Sequence, residues 1–205
     1  SDAGPSICKP EHTVTISAFY MDVKEVTNRE YEMYDPSHKA KRLDNADGDD
    51  IPVTNVSWKE AKAFCEWLSR KEGVIYRLPT EAEWERAAKG GRNYTYSSGS
   101  SFKGKINVSS SAPVAYKTYP PNAFGLYNMS GNVWEFCQDW VDVYSGSRQK
   151  DPVVTKKGKY PVRAIRGGSF RAKKPDATAA AFYRNGLPPD KPFRDTGFRC
   201  VRELK

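Results

Sequence analysis

The order of apolar and polar positions predicts a strand and several helices early in the chain and short strands late in it. Residues 13–20 alternate polar and apolar side chains up to Ala18, which is typical of a half-buried strand. One apolar set has the three- and four-residue spacing of a helix face: Ala61, Phe64, Cys65 and Leu68. Later apolar segments predict three more strands, at residues 133–140, 162–165 and 198–201.

Three short segments have the polar pattern of a helix N-terminus. In each, a Ser or Thr is followed three residues later by Glu, so that the hydroxyl and the carboxylate can each accept a backbone N–H. The segments are Thr27–Glu30, Ser57–Glu60 and Thr80–Glu83. Gly73 and Gly90 lie where the second and third helices are expected to end, because glycine readily adopts the left-handed backbone of a helix C-terminus.

Polar and proline-rich segments predict much irregular chain. Residues 92–125 are rich in Ser, Tyr, Gly and Pro, and residues 171–197 contain four prolines. Residues 35–51 are rich in Asp, but Leu43 stands where an EF-hand needs its first carboxylate, so a solvated loop is predicted there. The whole chain, residues 1–205, is therefore predicted to form one α+β domain with a large loop content.

The composition puts unusual weight on aromatic side chains. Hydrophobic residues make up 38% of the chain, which is low for a domain of 205 residues, whereas the aromatic share of 13% is high. Because Trp, Tyr and Phe each bury a large apolar area, the core is expected to depend on rings. No stretch approaches the roughly 20 apolar residues of a membrane-spanning helix, so no span is expected.

The formal charge of +8 is compatible with nucleic acid, anionic lipid or acidic glycan as a partner. The densest basic groups are separate in sequence, at residues 39–42, 156–159 and 171–174. Since no zinc-finger, RRM or KH signature is present, nucleic acid is not the expected partner.

The four cysteines are widely spaced and include no Cys-x-x-Cys pair: Cys8, Cys65, Cys137 and Cys200. That spacing disfavours a structural zinc site. The even number permits two disulfides, but reduced cysteines in a core agree equally well with the composition.

Six segments in a fixed order cover nearly the whole chain from about residue 13. They are Glu25-Val-Thr-Asn28, Pro52-Val-Thr-Asn-Val-Ser-Trp58, Arg77-Leu-Pro-Thr-Glu-Ala-Glu-Trp-Glu85, Pro121-Asn-Ala-Phe-Gly-Leu-Tyr-Asn-Met-Ser-Gly-Asn-Val-Trp-Glu135, Arg166-Gly-Gly-Ser-Phe170 and Thr196-Gly-Phe-Arg-Cys200. Together they resemble the formylglycine-generating-enzyme (sulfatase-modifying-factor) family. The resemblance implies an α+β, C-type-lectin-like fold with a small twisted antiparallel sheet, two or three helices and long loops.

The resemblance also shows where this chain departs from the catalytic members. Copper oxidases of the family have one Cys three residues after the Ser of Arg-Gly-Gly-Ser and a second five residues later, a thiolate pair suited to Cu(I). Here Ala172 and Ala177 stand at those positions, so neither copper nor formylglycine generation is expected. The iron-dependent members need a histidine cluster, and this chain has only His12 and His38.

Two structural features are implied by the resemblance alone. A calcium loop would use the side chains of Asn128 and Glu135 and the carbonyls of Gly131 and Val133, a mixed oxygen set that suits Ca²⁺. A disulfide between Cys65 and Cys200 would join the long helix to the last strand. Pairing of the remaining two cysteines rests on elimination only.

The family's pocket is expected beside residues 134–148 and 169–195. Eight side chains there are candidate ligand-binding residues: Trp134, Ser169, Phe170, Arg171, Phe182, Tyr183, Arg184 and Phe193. Aromatic and arginine side chains are frequent at the energetic centres of binding surfaces. The leading hypothesis is a non-catalytic binding or accessory domain that recognises a protein or glycan through these loops. In relatives diversified by retroelements, the variable positions lie in the same stretch.

Two other functions stay open at this point. One is an oxidoreductase with non-copper chemistry, like the siderophore-maturation members of the family, and the other is a structural subunit of a cell-surface assembly. A disulfide implies an oxidising compartment, so the expected location in a bacterium is extracytoplasmic: periplasm, outer-membrane surface or secreted. The oligomeric state is not predicted.

Overall fold

The computed structural model describes residues 8–204. The α-helices are α1 (Asn28–Glu32), α2 (Trp58–Glu72), α3 (Glu81–Lys89) and α4 (Pro175–Thr178), and a 3₁₀ helix spans Pro36–Lys41. The strands are β1 (Val14–Thr15), β2 (Tyr20–Met21), β3 (Tyr76–Arg77), β4 (Trp134–Trp140), β5 (Gln149–Lys150), β6 (Arg163–Arg166), β7 (Arg184–Leu187), β8 (Thr196–Gly197) and β9 (Val201–Arg202). The result is the predicted α+β class with few helices and short strands.

All three predicted helix starts are confirmed in detail. Thr27, Ser57 and Thr80 each accept the backbone N–H three residues on, and the Glu at that position accepts the backbone N–H of the capping residue. Both longer helices end at the predicted glycines, Gly73 with φ 68° and Gly90 with φ 57°. These ends are local events, which is why the linear sequence predicts them well.

The strands form three small sheets. The largest has the order β7–β6–β4–β8, the second β2–β9–β3, and the third pairs β1 with β5. Pairing is antiparallel except for β4 with β8 and β1 with β5, which are parallel. The four-stranded sheet is therefore mixed, because β8 pairs with β4 in parallel, and the three-stranded sheet is antiparallel throughout.

The strand predictions are confirmed for the two inner strands of the four-stranded sheet. β4 and β6 agree with the predicted strands, but residues 13–20 form only the two short strands β1 and β2. Residues 198–201 lie mostly between β8 and β9. The predicted loop over residues 171–197 contains α4, β7 and β8 as well; β7 pairs residue for residue with β6, and this partner cannot be read from its own sequence.

Aromatic rings fill the main core, as the composition predicts. The Tyr31 and Phe64 rings stack with centroids 5.6 Å apart, and Phe198 meets the Phe64 ring edge-on at 5.4 Å. The Arg163 guanidinium lies between two indoles, 3.7 Å from the ring centroid of Trp58 and 3.9 Å from that of Trp140.

Within residues 8–204, no helix has the length and apolar character needed to cross a membrane.

Candidate functional site

The candidate site begins at the turn that follows β6. Gly167 and Gly168 have φ values of 94° and 76°, which favour glycine. A side chain at Gly168 would place its Cβ 2.9 Å from the carbonyl oxygen of Thr178, so only glycine lets the turn lie against α4. The two glycines therefore bring Ser169 next to the chain that leads into β8.

Ser169 joins three segments of the chain. Its hydroxyl donates to Asp195 Oδ2 at 2.8 Å, and its carbonyl accepts the N–H of Ala172 at 3.0 Å. The carbonyl of Asp195 in turn accepts the N–H of Trp134 at 2.9 Å. Because the start of β4, the turn after β6 and the approach to β8 meet here, the position of Trp134 is fixed by backbone contacts.

Two aromatic rings lie side by side above this junction. The Trp134 and Tyr183 ring centroids are 6.1 Å apart with the planes tilted by 40°, and both side chains are half-buried. Burial raises the pKa of the Tyr183 phenol above its ordinary value. Phe182 and Phe193 are also half-buried, and Arg171 is exposed. We use the name aromatic surface for these five accessible candidate residues, of which the Trp134 and Tyr183 rings are the pair in contact.

Three of the eight candidate ligand-binding residues do not lie on that surface. Ser169 and Phe170 are buried, and Phe170 packs in a cluster with Leu43 and Val133. Arg184 is also fully buried: its guanidinium pairs with the Glu81 carboxylate and donates to the carbonyl of Asp142 at 2.7 Å. For these three residues the expected role in direct ligand contact is corrected to one in supporting the fold.

A buried ion network supports the aromatic surface from below. Arg166 is fully buried, and its guanidinium contacts Glu81 at 3.3 Å and Glu85 at 2.6 Å. The same guanidinium donates to the carbonyl oxygens of Ala181 and Tyr183, at 3.3 and 2.8 Å. Arg166 therefore holds the segment that carries Tyr183, a positioning role that its place in the Arg-Gly-Gly-Ser motif did not indicate.

Alanine stands at both positions where the copper oxidases are expected to carry thiols. Ala172 and Ala177 are both half-buried; Ala172 accepts the Ser109 hydroxyl with its carbonyl, and Ala177 lies within α4. Neither methyl side chain has a donor atom for a metal. Among residues 8–204, no three His, Cys, Asp or Glu side chains are arranged as a metal-binding group.

The predicted calcium loop is occupied by a second buried ion pair. Glu135 accepts two charge-assisted hydrogen bonds from Arg199, both at 2.7 Å, and a third from the Trp84 indole N–H at 2.8 Å. The side-chain amides of Asn128 and Asn132 donate to the two carboxylate oxygens of Glu25, at 3.1 and 2.8 Å. Burial raises the pKa of Glu25 to about 7, and the Arg199 charge opposes that shift.

The four residues expected to bind calcium do not fit a calcium shell in this arrangement. Their only carboxylate, that of Glu135, has both oxygens committed to Arg199. The other three candidate ligands, Asn128, Gly131 and Val133, offer only neutral oxygens. Ca²⁺ sites usually include carboxylates among their six to eight ligands. Calcium at this loop stays a prediction from the family resemblance, and binding would require Glu135 to leave Arg199.

The predicted disulfide partners face each other. The sulfur atoms of Cys65, on α2, and Cys200, next to β9, lie 3.5 Å apart, and both residues are buried. A bonded pair would have a separation of about 2.05 Å. The two cysteines are therefore placed for oxidation, and the disulfide itself stays a prediction. Cys137 is buried and Cys8 is half-buried.

Comparison with known proteins settles the family. The family model described as the sulfatase-modifying factor enzyme 1-like domain matches residues 2–204. The chain belongs to this family. Its C-type-lectin-like fold is likewise shared with solved structures of the family, as the motifs predicted.

Two curated relatives illustrate the range of this family. The protein named formylglycine-generating enzyme of Streptomyces coelicolor is 35% identical over 177 residues, covering 74% of this chain and 52% of that protein. The protein named serine/threonine-protein kinase pkn1 of Chlamydia pneumoniae is 33% identical over 223 residues, covering 95% of this chain. The chain spans about a third of the length of the chlamydial relatives, 34% for this one.

Two solved structures of similar fold cover almost the whole chain. Treponema denticola variable protein 1 has a TM-score of 0.83 at 28% identity, over 94% of this chain and 87% of that one. PvdO from Pseudomonas aeruginosa has a TM-score of 0.80 at 25% identity, over all of this chain and 89% of that one. Proteins with different names therefore share this fold, and the fold alone does not identify the function of this chain.

Proposed function

We propose that this domain is a non-catalytic binding module that recognises a protein or glycan partner through the aromatic surface. The observation that carries the proposal is the half-buried ring pair of Trp134 and Tyr183, taken together with alanine at positions 172 and 177, which would have to carry thiols for copper chemistry. A rigid pair of rings offers a large contact area at low entropic cost, which suits recognition.

The support beneath the surface agrees with this use. Arg166 and the Ser169–Asp195 hydrogen bond fix the backbone on both sides of the aromatic pair, while Arg171, Lys173 and Lys174, just before α4, are exposed. Binding loops held by a rigid scaffold can change in sequence without loss of the fold. The similarity to Treponema denticola variable protein 1 supports a variable ligand-binding role for the same loops.

An oxidoreductase with non-copper chemistry is the second candidate. It is supported by the 25% identity to PvdO over the whole chain and by the 35% identity to a formylglycine-generating enzyme. The Ser169 hydroxyl and the Asp195 carboxylate are the polar pair that such chemistry would have at hand. Turnover of a thiol-containing peptide by the purified domain would support the oxidoreductase function and contradict the non-catalytic one.

We place the domain outside the cytoplasm. The support is the 3.5 Å separation of Cys65 and Cys200, since a disulfide between them persists only in an oxidising compartment. Mass spectrometry of the protein isolated without reductant from its native host would show the pair bonded. A pair found reduced in fresh native material would contradict this location.

Capture of partners by surface variants tests the binding proposal. The immobilised domain is exposed to extracellular proteins and glycans of the native environment, and retained species are quantified for three forms: wild type, Trp134→Ala with Tyr183→Ala, and Tyr20→Ala. Tyr20 is the matched control because its ring is 53% exposed in a different sheet. Truncation of a central aromatic contact costs about 2 kcal/mol or more, so retention of a true ligand should fall roughly 30-fold in the double variant only.

The opposite result is equally clear. If every retained species is held equally by the wild type and by the Trp134 and Tyr183 double variant, the aromatic surface is not the binding surface. Circular dichroism of each variant confirms that the fold is intact before the comparison is made.

A further inference from the structure

The positive charge of the chain is concentrated in segments that contain no acidic residue. Residues 86–134 include no Asp or Glu but six basic residues: Arg86, Lys89, Arg92, Lys103, Lys105 and Lys117. Residues 152–175 also lack Asp and Glu. The excess of positive charge therefore lies in two segments of the sequence that contain no acidic residue.

A cavity of about 270 Å³ lies within the first of these segments, at the C-terminal end of α3. Its lining includes three cations, two hydroxyls and one ring, which together we call the basic groove: Lys89, Arg92, Lys105, Ser97, Ser98 and Tyr94. Arg92 and Lys105 are exposed, and neither has an ion-pair partner within residues 8–204. Lys89 is 2.7 Å from Glu85, which also pairs with Arg166.

The walls of the basic groove are held by backbone contacts. Tyr96 and Gly99 exchange two backbone hydrogen bonds of 3.0 Å, and the Ser130 hydroxyl accepts the N–H of Ser97 at 3.0 Å. The last carbonyls of a helix carry partial negative charge and would repel an anion. Here the Asn122 amide donates to the carbonyls of Ala87 and Ala88 at 2.7 and 3.2 Å, which reduces that repulsion.

The rings near the groove favour a sugar over a nucleic acid. Single-stranded nucleic acids bind by stacking successive bases on several aromatic faces. Phe102 meets Tyr96 edge-on at 5.0 Å, and Phe124, which is 50% exposed with the Arg86 guanidinium 5.2 Å from its ring centroid, does not line the groove. Tyr94, 44% exposed, is the free ring of the groove. One ring with nearby hydroxyls and cations matches a charged saccharide.

We propose that the basic groove binds an acidic glycan, with sulfate or carboxylate groups of the sugar contacting Arg92 and Lys105. Guanidinium and ammonium groups form strong charge-assisted hydrogen bonds with such anions. Ser97, Ser98 and the Tyr94 ring would contact the sugar itself. The groove shares no residue with the aromatic surface. Binding at the two sites can therefore be tested independently, and failure of one proposal does not affect the other.

Titration calorimetry with a heparin-derived hexasaccharide tests this site, at 50 and 200 mM NaCl. The test variant is Arg92→Glu with Lys105→Glu. The control is Lys39→Glu with Lys157→Glu, which changes the total charge equally at two exposed lysines outside the groove. We expect the test variant to weaken binding at least tenfold and the control to change it less than threefold. Arg92→Gln with Lys105→Gln, a milder variant, should weaken binding in the same direction.

Three further probes decide what the groove recognises. Maltohexaose, which has no charge, and single-stranded DNA of equal charge should each bind at least tenfold more weakly than the sulfated sugar. Absence of hexasaccharide binding overturns the proposal, and so does an equal loss in the test and control variants, which would mean diffuse attraction to the whole basic surface. DNA binding as tight as the sugar would identify a nucleic-acid site instead.

Discussion

The buried arginines and the cations of the basic groove show how one kind of charge serves two purposes. Arg166, Arg184 and Arg199 are fully buried, and each pairs with at least one glutamate. Arg92 and Lys105 are exposed in a segment without acidic residues. Since a buried charge must be paired whereas an exposed one is hydrated, the first group is committed to the fold and the second is available to a ligand.

The largest expected effect follows from breaking a buried pair. Arg199→Met would leave Glu135 in the core without its partner, together with the nearby Glu25. Loss of one partner of a buried ion pair costs about 3–5 kcal/mol, and denaturant unfolding would measure the change in unfolding free energy. Arg92→Met is the matched control on the surface and should change stability by about 0.5 kcal/mol or less. Equal losses of unfolding free energy in the two variants would contradict the distinction between buried arginines that stabilise the fold and exposed cations that do not.

The burial of Glu25 gives the protein a characteristic pH dependence. Its folded pKa of about 7 lies above the unfolded value near 4.5, so between these values the folded state holds a proton that the unfolded state has released. The unfolding free energy should therefore fall as pH rises from about 5 to 7 and level off above that, by about 1–3 kcal/mol for this group. Burial also raises the pKa of Asp139 to about 7, which adds to the same slope.

The control for this pH dependence is a variant that cannot titrate. Glu25→Gln should flatten the part of the slope that Glu25 contributes, as measured by urea unfolding at several pH values between 5 and 8. A stability that rises with pH over this range, or a slope unchanged in Glu25→Gln, would contradict the account of this buried carboxyl.

A moderate effect is expected from the turn that supports the aromatic surface. Gly168→Ala places a side chain where φ is 76° and where its Cβ would lie 2.9 Å from the Thr178 carbonyl oxygen. Strain of this kind costs about 1–3 kcal/mol. Gly104→Ala is the control, since φ there is 68° but a Cβ would meet no atom within 4 Å. Thermal unfolding should show a clearly larger loss at Gly168.

The smallest effect is expected from calcium. Because Arg199 already holds both oxygens of Glu135, adding calcium or a chelator should shift the unfolding temperature less than Arg199→Met does. Differential scanning fluorimetry with 5 mM calcium and with EDTA would measure this. A shift under chelation as large as that of Arg199→Met would show that Glu135 serves the metal and not the arginine.

The features that the sequence predicts well are those set by neighbouring residues. The three capping boxes and the glycine helix ends involve residues three or four apart, and each forms as predicted. The ordered series of motifs also predicts the fold family, because it covers most of the chain. Helix ends can be predicted because they depend on neighbouring residues, and the fold family can be predicted because many family motifs occur in order along the chain.

Long-range ion pairs leave no such pattern. Arg184 and Glu81 are 103 residues apart and Arg199 and Glu135 are 64 apart, so nothing in the sequence shows that these side chains meet. For that reason the sequence places Arg184 at the ligand surface although it lies in the core, and it gives no sign that Glu135 pairs with Arg199. Trp134 and Tyr183, both candidates from the family resemblance, lie with their ring centroids 6.1 Å apart, and their role in ligand binding stays a prediction.

The most direct test of the central claim is a combined copper and turnover assay on two forms of the domain. The wild type and the Ala172→Cys with Ala177→Cys variant are titrated with Cu(I) and offered a cysteine-containing sulfatase peptide with oxygen. We expect that the wild type neither takes up stoichiometric copper nor converts the peptide, whereas the variant binds one Cu(I). Conversion of the peptide to formylglycine by the wild type would contradict the proposal of a non-catalytic binding domain.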